Sequence, residues 1–339
     1  MALRTGVTLK EGRYQIQQLL GQGGFGFVYL AFDWLAEKQV VLKELHPLLV
    51  SDGPVLRRFL REGRAMQRLR HPNIVRAEAM FKDHGNHYIV MEYLGAGTLE
   101  ERMERGRKFS LSRAATVIIP LCDALTYMHQ MGVIHCDLNP GNILFDTRSQ
   151  PKLVDLGIAY VSDKLVHRSW RTERSFAMGT TVYMAPEQFD GVRDDPRVDL
   201  YALAAMLYQM LAGRHYLDFA LEDTPGVQAD NIHLIRHEKP DPIPGIPGEV
   251  NEVLLRALSK SPQERYPTVA IFRQKLIQAL FSHLSPEKGL SLVKPGSLVK
   301  DVPVARPEAA DWPAWLWGGL LAINLVAMIV LGVLLLSAG

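Results

Sequence analysis

Two residues with catalytic potential stand close together in the stretch VIHCDLNPGNILF, where Asp137 and Asn142 are separated by four residues. An Asp-x-x-x-x-Asn pair can place one carboxylate near a substrate hydroxyl and one amide oxygen on a Mg²⁺ ion. The pair therefore suggests transfer of the γ-phosphoryl group of ATP. The same stretch also fits a polar turn between two strands, with Pro140 and Gly141 supplying the bend.

A glycine-rich segment, LLGQGGFGFVYLAF, occupies residues 19–32. Two apolar, β-prone runs flank its glycines, which predicts a hairpin whose backbone can approach phosphate groups without Cβ atoms in the way. An ordinary glycine-rich hairpin is the alternative. A dinucleotide-binding fold would need a helix after the glycines, but residues 27–31 are typical of a second strand. That pattern disfavours a dinucleotide site.

A lysine and a glutamate are predicted to face each other beyond this hairpin. Lys43 lies within the strand-like run QVVLKEL, where a buried ammonium group is costly unless it meets an anion. A helix is expected to start near Asp52 and Pro54, and Glu62 falls on its inward face. The apolar residues of that face are Leu56, Phe59, Leu60, Met66 and Leu69. We predict a Lys43–Glu62 ion pair that holds the lysine against ATP phosphates, with a solvated Glu62 as the alternative.

The composition of the chain excludes several classes of function. Its 339 residues are 47% hydrophobic and 22% charged, which is ordinary for a globular protein with a packed core. The 38 Lys and Arg residues nearly balance the 36 Asp and Glu residues, so there is no electrostatic case for nucleic-acid binding. Only Cys122 and Cys136 are present, which excludes a disulfide framework and fits reduced, cytosolic surroundings.

An uncharged apolar run, AWLWGGLLAINLVAMIVLGVLLL, occupies residues 314–336. As a helix it would span roughly 34 Å at 1.5 Å per residue, enough to cross a bilayer core of about 30 Å. Tryptophans at 312, 315 and 317 cluster at its start, where such rings favour the membrane interface. The run predicts a transmembrane helix, with a buried core helix as the alternative. Residues 284–313, rich in Pro, Gly, Ser and charge, predict a flexible linker.

The charges around this run predict its orientation. Four basic residues precede it in the linker: Lys288, Lys294, Lys300 and Arg306. The positive-inside rule therefore places the globular part on the cytoplasmic face of the cell membrane, with a single pass across it. Gly318 and Ala322 form a small-xxx-small pair that would allow two membrane helices to associate.

A series of motifs between residues 14 and 283 resembles the eukaryotic-like, or Hanks-type, serine/threonine protein kinases of the bacterial membrane-anchored kind. The glycine-rich segment matches the family's nucleotide loop, Lys43 its third-strand lysine and Glu62 the helix partner of that lysine. The stretch HYIVMEYLGAGTL is similar to the hinge between lobes, and VDLGIA is similar to the second metal-binding motif. The resemblance implies a two-lobed fold and transfer of phosphate to serine or threonine hydroxyls of proteins.

The resemblance also implies a role for each matching residue. Asp137 would orient and deprotonate the substrate hydroxyl, while Asn142 and Asp155 would bind the metal. Met91 would gate the adenine pocket. The implied nucleotide contacts are Leu20, Gly21, Gly23, Gly24, Phe25, Gly26, Val28, Lys43 and the backbone of Glu92 and Leu94. The implied cofactors are ATP and Mg²⁺, with Mn²⁺ as a substitute, and the implied partners are protein substrates and the chain itself by autophosphorylation.

The segment after Asp155 distinguishes protein kinases from aminoglycoside-type small-molecule kinases, which share the Asp137 loop but lack MGTTVYMAPEQF. By the resemblance, Thr180 would help to seat the peptide hydroxyl, and Ala185-Pro186-Glu187 would anchor the substrate platform. Further on, Asp199 would be structural and Arg265 would pair with Glu187. Cys122 is expected to fill the core, and His135 to be a structural residue of the catalytic loop.

Three residues depart from the family pattern. Leu156 replaces phenylalanine, a mild change in an apolar contact. Asn139 stands where serine/threonine kinases have lysine, so a positive charge near the transferring phosphoryl is lost and a lysine there should raise turnover. Cys136 replaces an arginine that pairs with loop phosphates, so we expect phosphorylation of Ser169, Thr172 and Ser175 to have only a modest effect. A nucleotide-binding pseudokinase scaffold is the alternative function.

These observations predict an α+β, two-lobed kinase fold followed by one C-terminal transmembrane helix. The kinase domain would occupy residues 1–283, with a small β-rich lobe at about 1–92 and a helical lobe at about 95–283. The linker would occupy residues 284–313 and the membrane helix residues 314–336.

Overall fold

The computed structural model describes residues 2–103, 106–155, 181–220, 222 and 224–282. Residues Met1–Ser285 form one unit of the chain, and Pro286–Gly339 form a second. No helix within the described residues is long and apolar enough to cross a membrane. The predicted membrane helix at 314–336 and the predicted linker at 284–313 lie outside the described residues.

The N-terminal lobe is a six-stranded antiparallel sheet in the order β1-β2-β3-β4-β6-β5. Its strands are β1 (Thr8–Leu9), β2 (Tyr14–Gly23), β3 (Gly26–Asp33), β4 (Lys38–Leu45), β5 (Ala77–Asp83) and β6 (Asn86–Glu92). In β4 the side chains alternate between the two faces of the sheet. Val40 and Leu42 are fully buried in the core on one face. Lys43 therefore points to the opposite face, where the lobe meets its single long helix.

Helix α1 (Gly53–Arg68) packs against the sheet by the face that the sequence predicts. Asp52 caps its first turn by accepting a hydrogen bond from the Val55 N–H at 3.1 Å, and a proline lies in its first turn. Phe59 and Met66 are buried, and so is Glu62 between them. A Cβ on Gly63 would lie 2.6 Å from the end of the Met80 side chain, which would have to shift to make room. The predicted helix start and inward face are confirmed.

The C-terminal lobe is mainly helical. Its helices are α2 (Leu99–Met103), α3 (Leu111–Gln130), α4 (Arg197–Ala212), α5 (Pro225–His237), α6 (Gly248–Ala257) and α7 (Val269–Ser282). Helix α4 is buried along nearly its whole length and forms the centre of the lobe. Cys122 of α3 is fully buried in the same core, which confirms its predicted role as a core filler. Burial raises the pKa of the Cys122 thiol, so it is neutral and unreactive.

A short hairpin on the helical lobe carries the residues predicted to do chemistry. Its strands are β7 (Ile143–Phe145) and β8 (Pro151–Leu153), and the 3₁₀ turn Pro140–Asn142 leads directly into β7. The run before this turn is not a strand, because helix α3 and an irregular loop precede it. The interpretation of the stretch as a turn between two strands is therefore wrong, although the turn itself is present.

Candidate active site

The glycine-rich hairpin joins β2 to β3, with Gly23 paired opposite Gly26. Gly26 has a structural reason to be glycine, since its φ is +156° and a Cβ there would collide with the Glu44 carbonyl. Gly21, Gly23 and Gly24 instead have open space where a Cβ would be. An approaching phosphate group would meet bare backbone at these three positions.

The other residues predicted to contact the nucleotide from this hairpin lie on the same two strands and the turn between them. Leu20 and Phe25 are among the exposed large hydrophobic residues, and Val28 pairs with Lys43 across β3 and β4. The chain continues from the glycines as β3 and not as a helix, which confirms that this is no dinucleotide-binding loop.

Lys43 lies between two carboxylates drawn from different parts of the chain. Its Nζ is 2.8 Å from Glu62 Oε1 on α1 and 2.5 Å from Asp155 Oδ1 beyond β8. The predicted Lys43–Glu62 ion pair is confirmed, and the solvated alternative for Glu62 is wrong because that residue is 8% exposed. Burial by itself lowers the pKa of the Lys43 ammonium, but the charges of Asp155 and Glu62 outweigh it and raise the pKa above its usual value.

Asp155 and Asn142, the predicted metal ligands, lie at the same end of the β7–β8 hairpin. The Val154 N–H donates to the Asn142 carbonyl at 3.0 Å, so Asp155 leaves the strand beside Asn142. Asp155 has a φ of +47°, a conformation that aspartate tolerates better than most residues. Burial raises the pKa of its carboxyl, but Lys43 outweighs this effect and the net pKa is lowered. A carboxylate beside an amide oxygen is a suitable donor set for Mg²⁺.

The backbone before Asp137 is held by a buried carboxylate on helix α4. Asp199 is 1% exposed and accepts hydrogen bonds from the N–H groups of His135 and Cys136, both at 2.8 Å. Nε2 of His129 lies 2.8 Å from the same carboxylate. Cys136 has a φ of +62°, which is strained for a residue with a Cβ. Asp199 thus stabilises the turn that presents Asp137, and its predicted structural role is confirmed.

His135 is a structural residue, as predicted. It is fully buried, and its Nε2 lies 3.2 Å from the carbonyl oxygen of Val154, just before Asp155. The ring therefore ties the loop that presents Asp137 to the strand that presents Asp155.

Asn139 organises the catalytic loop by its side chain. Its Oδ1 accepts from the N–H groups of Gly141 and Asn142, at 3.0 and 3.2 Å. Its Nδ2 donates to the Asp137 carbonyl at 3.1 Å, and the Asn142 amide donates to that same carbonyl at 2.8 Å. The family resemblance concerned only the missing lysine charge and missed this role. The Asn-Pro-Gly sequence could have indicated it, because asparagine caps turns in this way.

We expect Asn139→Lys to have two opposing effects. The added ammonium should raise turnover by stabilising charge on the transferring phosphoryl, while loss of the cap should lower stability by about 1 kcal/mol. Turnover and the thermal unfolding temperature, measured on the same variant, would separate the two effects. An Asn139→Ala variant is the matched control, because it loses the cap and gains no charge. If it were as fast as Asn139→Lys, the added charge would have no effect on turnover.

The segment between the lobes positions the predicted adenine contacts. Met91 is 6% exposed and pairs with Val41 of β4, while Leu94 is 7% exposed. The Glu92 N–H donates to the Arg76 carbonyl at 3.0 Å, so the Glu92 carbonyl is the group that could serve a base. The Glu92 side chain accepts from Lys152 Nζ of β8 at 2.8 Å, an ion pair that links this segment to the helical lobe.

The predicted pair between Glu187 and Arg265 is confirmed. The Arg265 guanidinium is fully buried and donates to both Glu187 carboxylate oxygens, at 2.6 and 2.8 Å. It also donates to three backbone carbonyls, those of Arg197, Ser259 and Lys260. This bidentate pair fixes the 3₁₀ turn Pro186–Asp190 onto the helical lobe.

Gln188, in the same turn, was not identified from the sequence. Its Nε2 donates to the Cys136 carbonyl at 2.9 Å and so links the turn to the catalytic loop. No signal in the sequence distinguishes this glutamine, because the contact joins residues far apart in the chain. Thr180 and Leu156 lie outside the described residues, as do Ser169, Thr172 and Ser175. The predictions for these five positions stay predictions.

Comparisons with known proteins agree with this geometry. The protein kinase domain profile matches residues 14–277. The chain is 30% identical over 303 residues to the serine/threonine-protein kinase PrkC of Bacillus subtilis, covering 88% of this chain and 45% of that protein. It is 34% identical over 279 residues to PknB of Mycobacterium tuberculosis, covering 78% of this chain and 42% of that protein. The crystal structure of the Mycobacterium tuberculosis PknI kinase domain superposes with a TM-score of 0.62 at 26% identity, covering 83% of this chain and all of that chain.

The chain belongs to the protein kinase family, in its bacterial Hanks-type serine/threonine branch. It spans less than half the length of the curated relatives described above. Those relatives are named serine/threonine-protein kinases, so they lend no support to the pseudokinase alternative.

Proposed function

We propose that this chain transfers the γ-phosphoryl group of ATP to serine or threonine hydroxyls of protein substrates. The observation that carries the proposal is the convergence of Lys43, Glu62 and Asp155 from a strand, a helix and a hairpin of two different lobes. The catalytic loop with Asp137 and Asn142 stands beside this triad.

Each residue of the chain has a physical task in this reaction. Lys43 uses two of its three N–H donors on Glu62 and Asp155, and the third would be accepted by a phosphate oxygen. Asp155 and Asn142 would hold Mg²⁺, which neutralises charge on the phosphates when bound. Asp137 would orient the substrate hydroxyl and take its proton as the new P–O bond forms and ADP leaves. The glycine-rich hairpin would cover the phosphates with backbone N–H groups.

Incubation of the full chain with labelled ATP, Mg²⁺ and a generic protein substrate tests this proposal. We expect label on the substrate and on the chain itself. The matched control is Asp137→Asn, which keeps the shape of the side chain and removes the proton acceptor. Equal labelling by the native chain and this control would contradict the role of Asp137. No labelling by either would contradict the kinase function.

We further propose that the chain is tethered to the cytoplasmic face of the cell membrane. The support is the uncharged run at residues 314–336 and the basic residues before it. Fractionation of cells should place the chain with the membranes, and protease added outside intact cells should leave the kinase domain undigested. Recovery in the soluble fraction would contradict the tether, and digestion from outside would contradict the orientation.

A further inference from the structure

A buried carboxylate in the N-terminal lobe has no part in the reaction described so far. Glu44 follows Lys43 in β4 and points to the opposite face of the sheet, because side chains alternate along a strand. It is 1% exposed, and its carboxylate accepts hydrogen bonds from the Tyr29 and Tyr88 hydroxyls at 2.9 and 2.8 Å and from Asn86 Nδ2 at 2.9 Å. Among the described residues, no lysine, arginine or histidine makes a salt bridge with it. These hydrogen bonds therefore have to offset the cost of burying the carboxylate.

The donors to Glu44 belong to the strands on either side of β4. Tyr29 lies in β3, whereas Tyr88 and Asn86 lie in β6, where Tyr88 pairs directly with Glu44. Burial raises the pKa of both tyrosine hydroxyls, and the Glu44 carboxylate raises it further, so both stay protonated and can donate. The hydrogen bonds of one side chain thus join three adjacent strands in the centre of the sheet.

Strand β4 also holds the two groups that would contact the phosphates of ATP. Lys43 lies immediately before Glu44, and the Glu44 carbonyl lies against Gly26 of the glycine-rich hairpin, where a Cβ would collide with it. Just beyond β4, the His46 N–H donates to the Phe25 carbonyl at 2.8 Å, which binds the end of this strand to the turn of the hairpin. A small displacement of β4 would therefore move both the lysine and the hairpin.

An apolar side chain could fill the space that Glu44 occupies. It would avoid the cost of desolvating a carboxylate, and replacements of buried ionic groups by apolar ones are often neutral or stabilising. Hydrogen bonds differ from apolar contacts because their strength depends on distance and angle. A fully hydrogen-bonded buried network therefore restricts β4 to one position more narrowly than apolar packing would.

We propose that Glu44 is a positioning residue for phosphoryl transfer, which holds β4 where Lys43 and the glycine-rich hairpin contact the phosphates of ATP together. The inference rests on the proposed kinase function, because Glu44 acts through groups assigned to that reaction. Glu44 faces away from Lys43 and takes no part in making or breaking bonds. A misplacement of about 1 Å can lower a rate about 10²-fold, so a loosely held β4 would have a measurable effect.

The test compares the full native chain with Glu44→Gln. Glutamine keeps the volume of the side chain but replaces one acceptor oxygen by an NH₂ group that faces other donors. We expect the Kd for ADP with Mg²⁺, measured by calorimetry, and KM for ATP both to rise about tenfold, because Lys43 and the hairpin no longer act together. KM for the protein substrate should stay close to its native value, since the turn Pro186–Asp190 lies in the helical lobe.

The matched control is Asp33→Asn, which alters a second fully buried carboxylate of the same sheet. Asp33 accepts from the Arg13 guanidinium and from two backbone N–H groups. It lies at the other end of β3 from Gly26, so this change should lower the thermal unfolding temperature and leave KM for ATP unchanged. If KM for ATP rose as much in Asp33→Asn as in Glu44→Gln, general loosening of the lobe would explain the effect and the inference would be wrong.

A triple variant separates position from stability. Glu44→Leu with Tyr29→Phe and Tyr88→Phe replaces the network by apolar packing, so its free energy of unfolding should equal or exceed that of Glu44→Gln. We expect its KM for ATP and its Kd for ADP to stay raised. Native values of both constants in Glu44→Gln or in the triple variant would overturn the inference while the kinase function stands.

Tyr88→Phe removes one hydrogen bond of the network and gives the same comparison if the larger changes prevent folding. It should raise both constants by a smaller factor, and native values would again overturn the inference. Nucleotide binding without phosphoryl transfer by the native chain would contradict the proposed function alone. No nucleotide binding by the native chain would overturn both.

Discussion

Replacing Lys43 by methionine, or Asp155 by asparagine, should lower phosphoryl transfer by about 10³-fold or more. The ammonium of Lys43 lies 2.8 Å from Glu62 and 2.5 Å from Asp155, and it is the only group of the three that can donate to a phosphate. Methionine has a similar length but no charge, so the nucleotide would lose its fixed electrostatic contact. Asparagine at 155 would leave the metal with neutral ligands from the chain.

The measurement is the initial rate of transfer to a protein substrate, with circular dichroism to verify that each variant is folded. Lys38→Met is a suitable control because Lys38 lies on the same strand, is largely exposed and pairs with Glu78. This control should transfer phosphate at close to the native rate. Native rates in both Lys43→Met and Asp155→Asn would remove these residues from the reaction.

Arg265→Met should destabilise the helical lobe by about 4 kcal/mol. The Arg265 guanidinium is fully buried, and its removal would leave the Glu187 carboxylate without its cation and three backbone carbonyls without a donor. Removing one partner costs more stability than the ion pair contributes, because the remaining Glu187 carboxylate stays buried without a cation. The turn Pro186–Asp190 would then lose its buried anchor and keep only its contacts through Gln188 and Asp190, so transfer to protein substrates should also fall.

The free energy of unfolding in urea, followed by tryptophan fluorescence or circular dichroism, measures this effect. The matched control is Arg236→Met, because Arg236 pairs with Asp190 at the surface and such pairs contribute less than about 1 kcal/mol. A double variant, Arg265→Met with Glu187→Leu, should recover part of the lost stability by removing the stranded charge. A cost below about 1 kcal/mol for Arg265→Met alone would show that the buried pair does not hold the turn.

The sequence by itself determined the elements that carry the site and the main charges within it. The apolar run around Lys43 and the helical spacing after Asp52 were sufficient to predict the Lys43–Glu62 pair, because a buried ammonium group and an inward-facing carboxylate each require an opposite charge. The motifs and their order then indicated the family, and with it the pairing of Arg265 with Glu187. These predictions required only short segments and matching residue types.

The tertiary structure decided how distant segments meet. Asp199 holds the strained turn at Cys136 from a different helix, and Glu100 reaches Gly141 from the start of α2. The family pattern identified Asn139 only as a position where a lysine is missing. In the structure its side chain caps the turn between Asp137 and Asn142. Such contacts depend on how whole helices and strands pack, and each packing arrangement must accommodate many side chains at once. No single stretch of sequence contains that information, because the hydrogen-bond partners of a buried group are chosen by the fold that surrounds it.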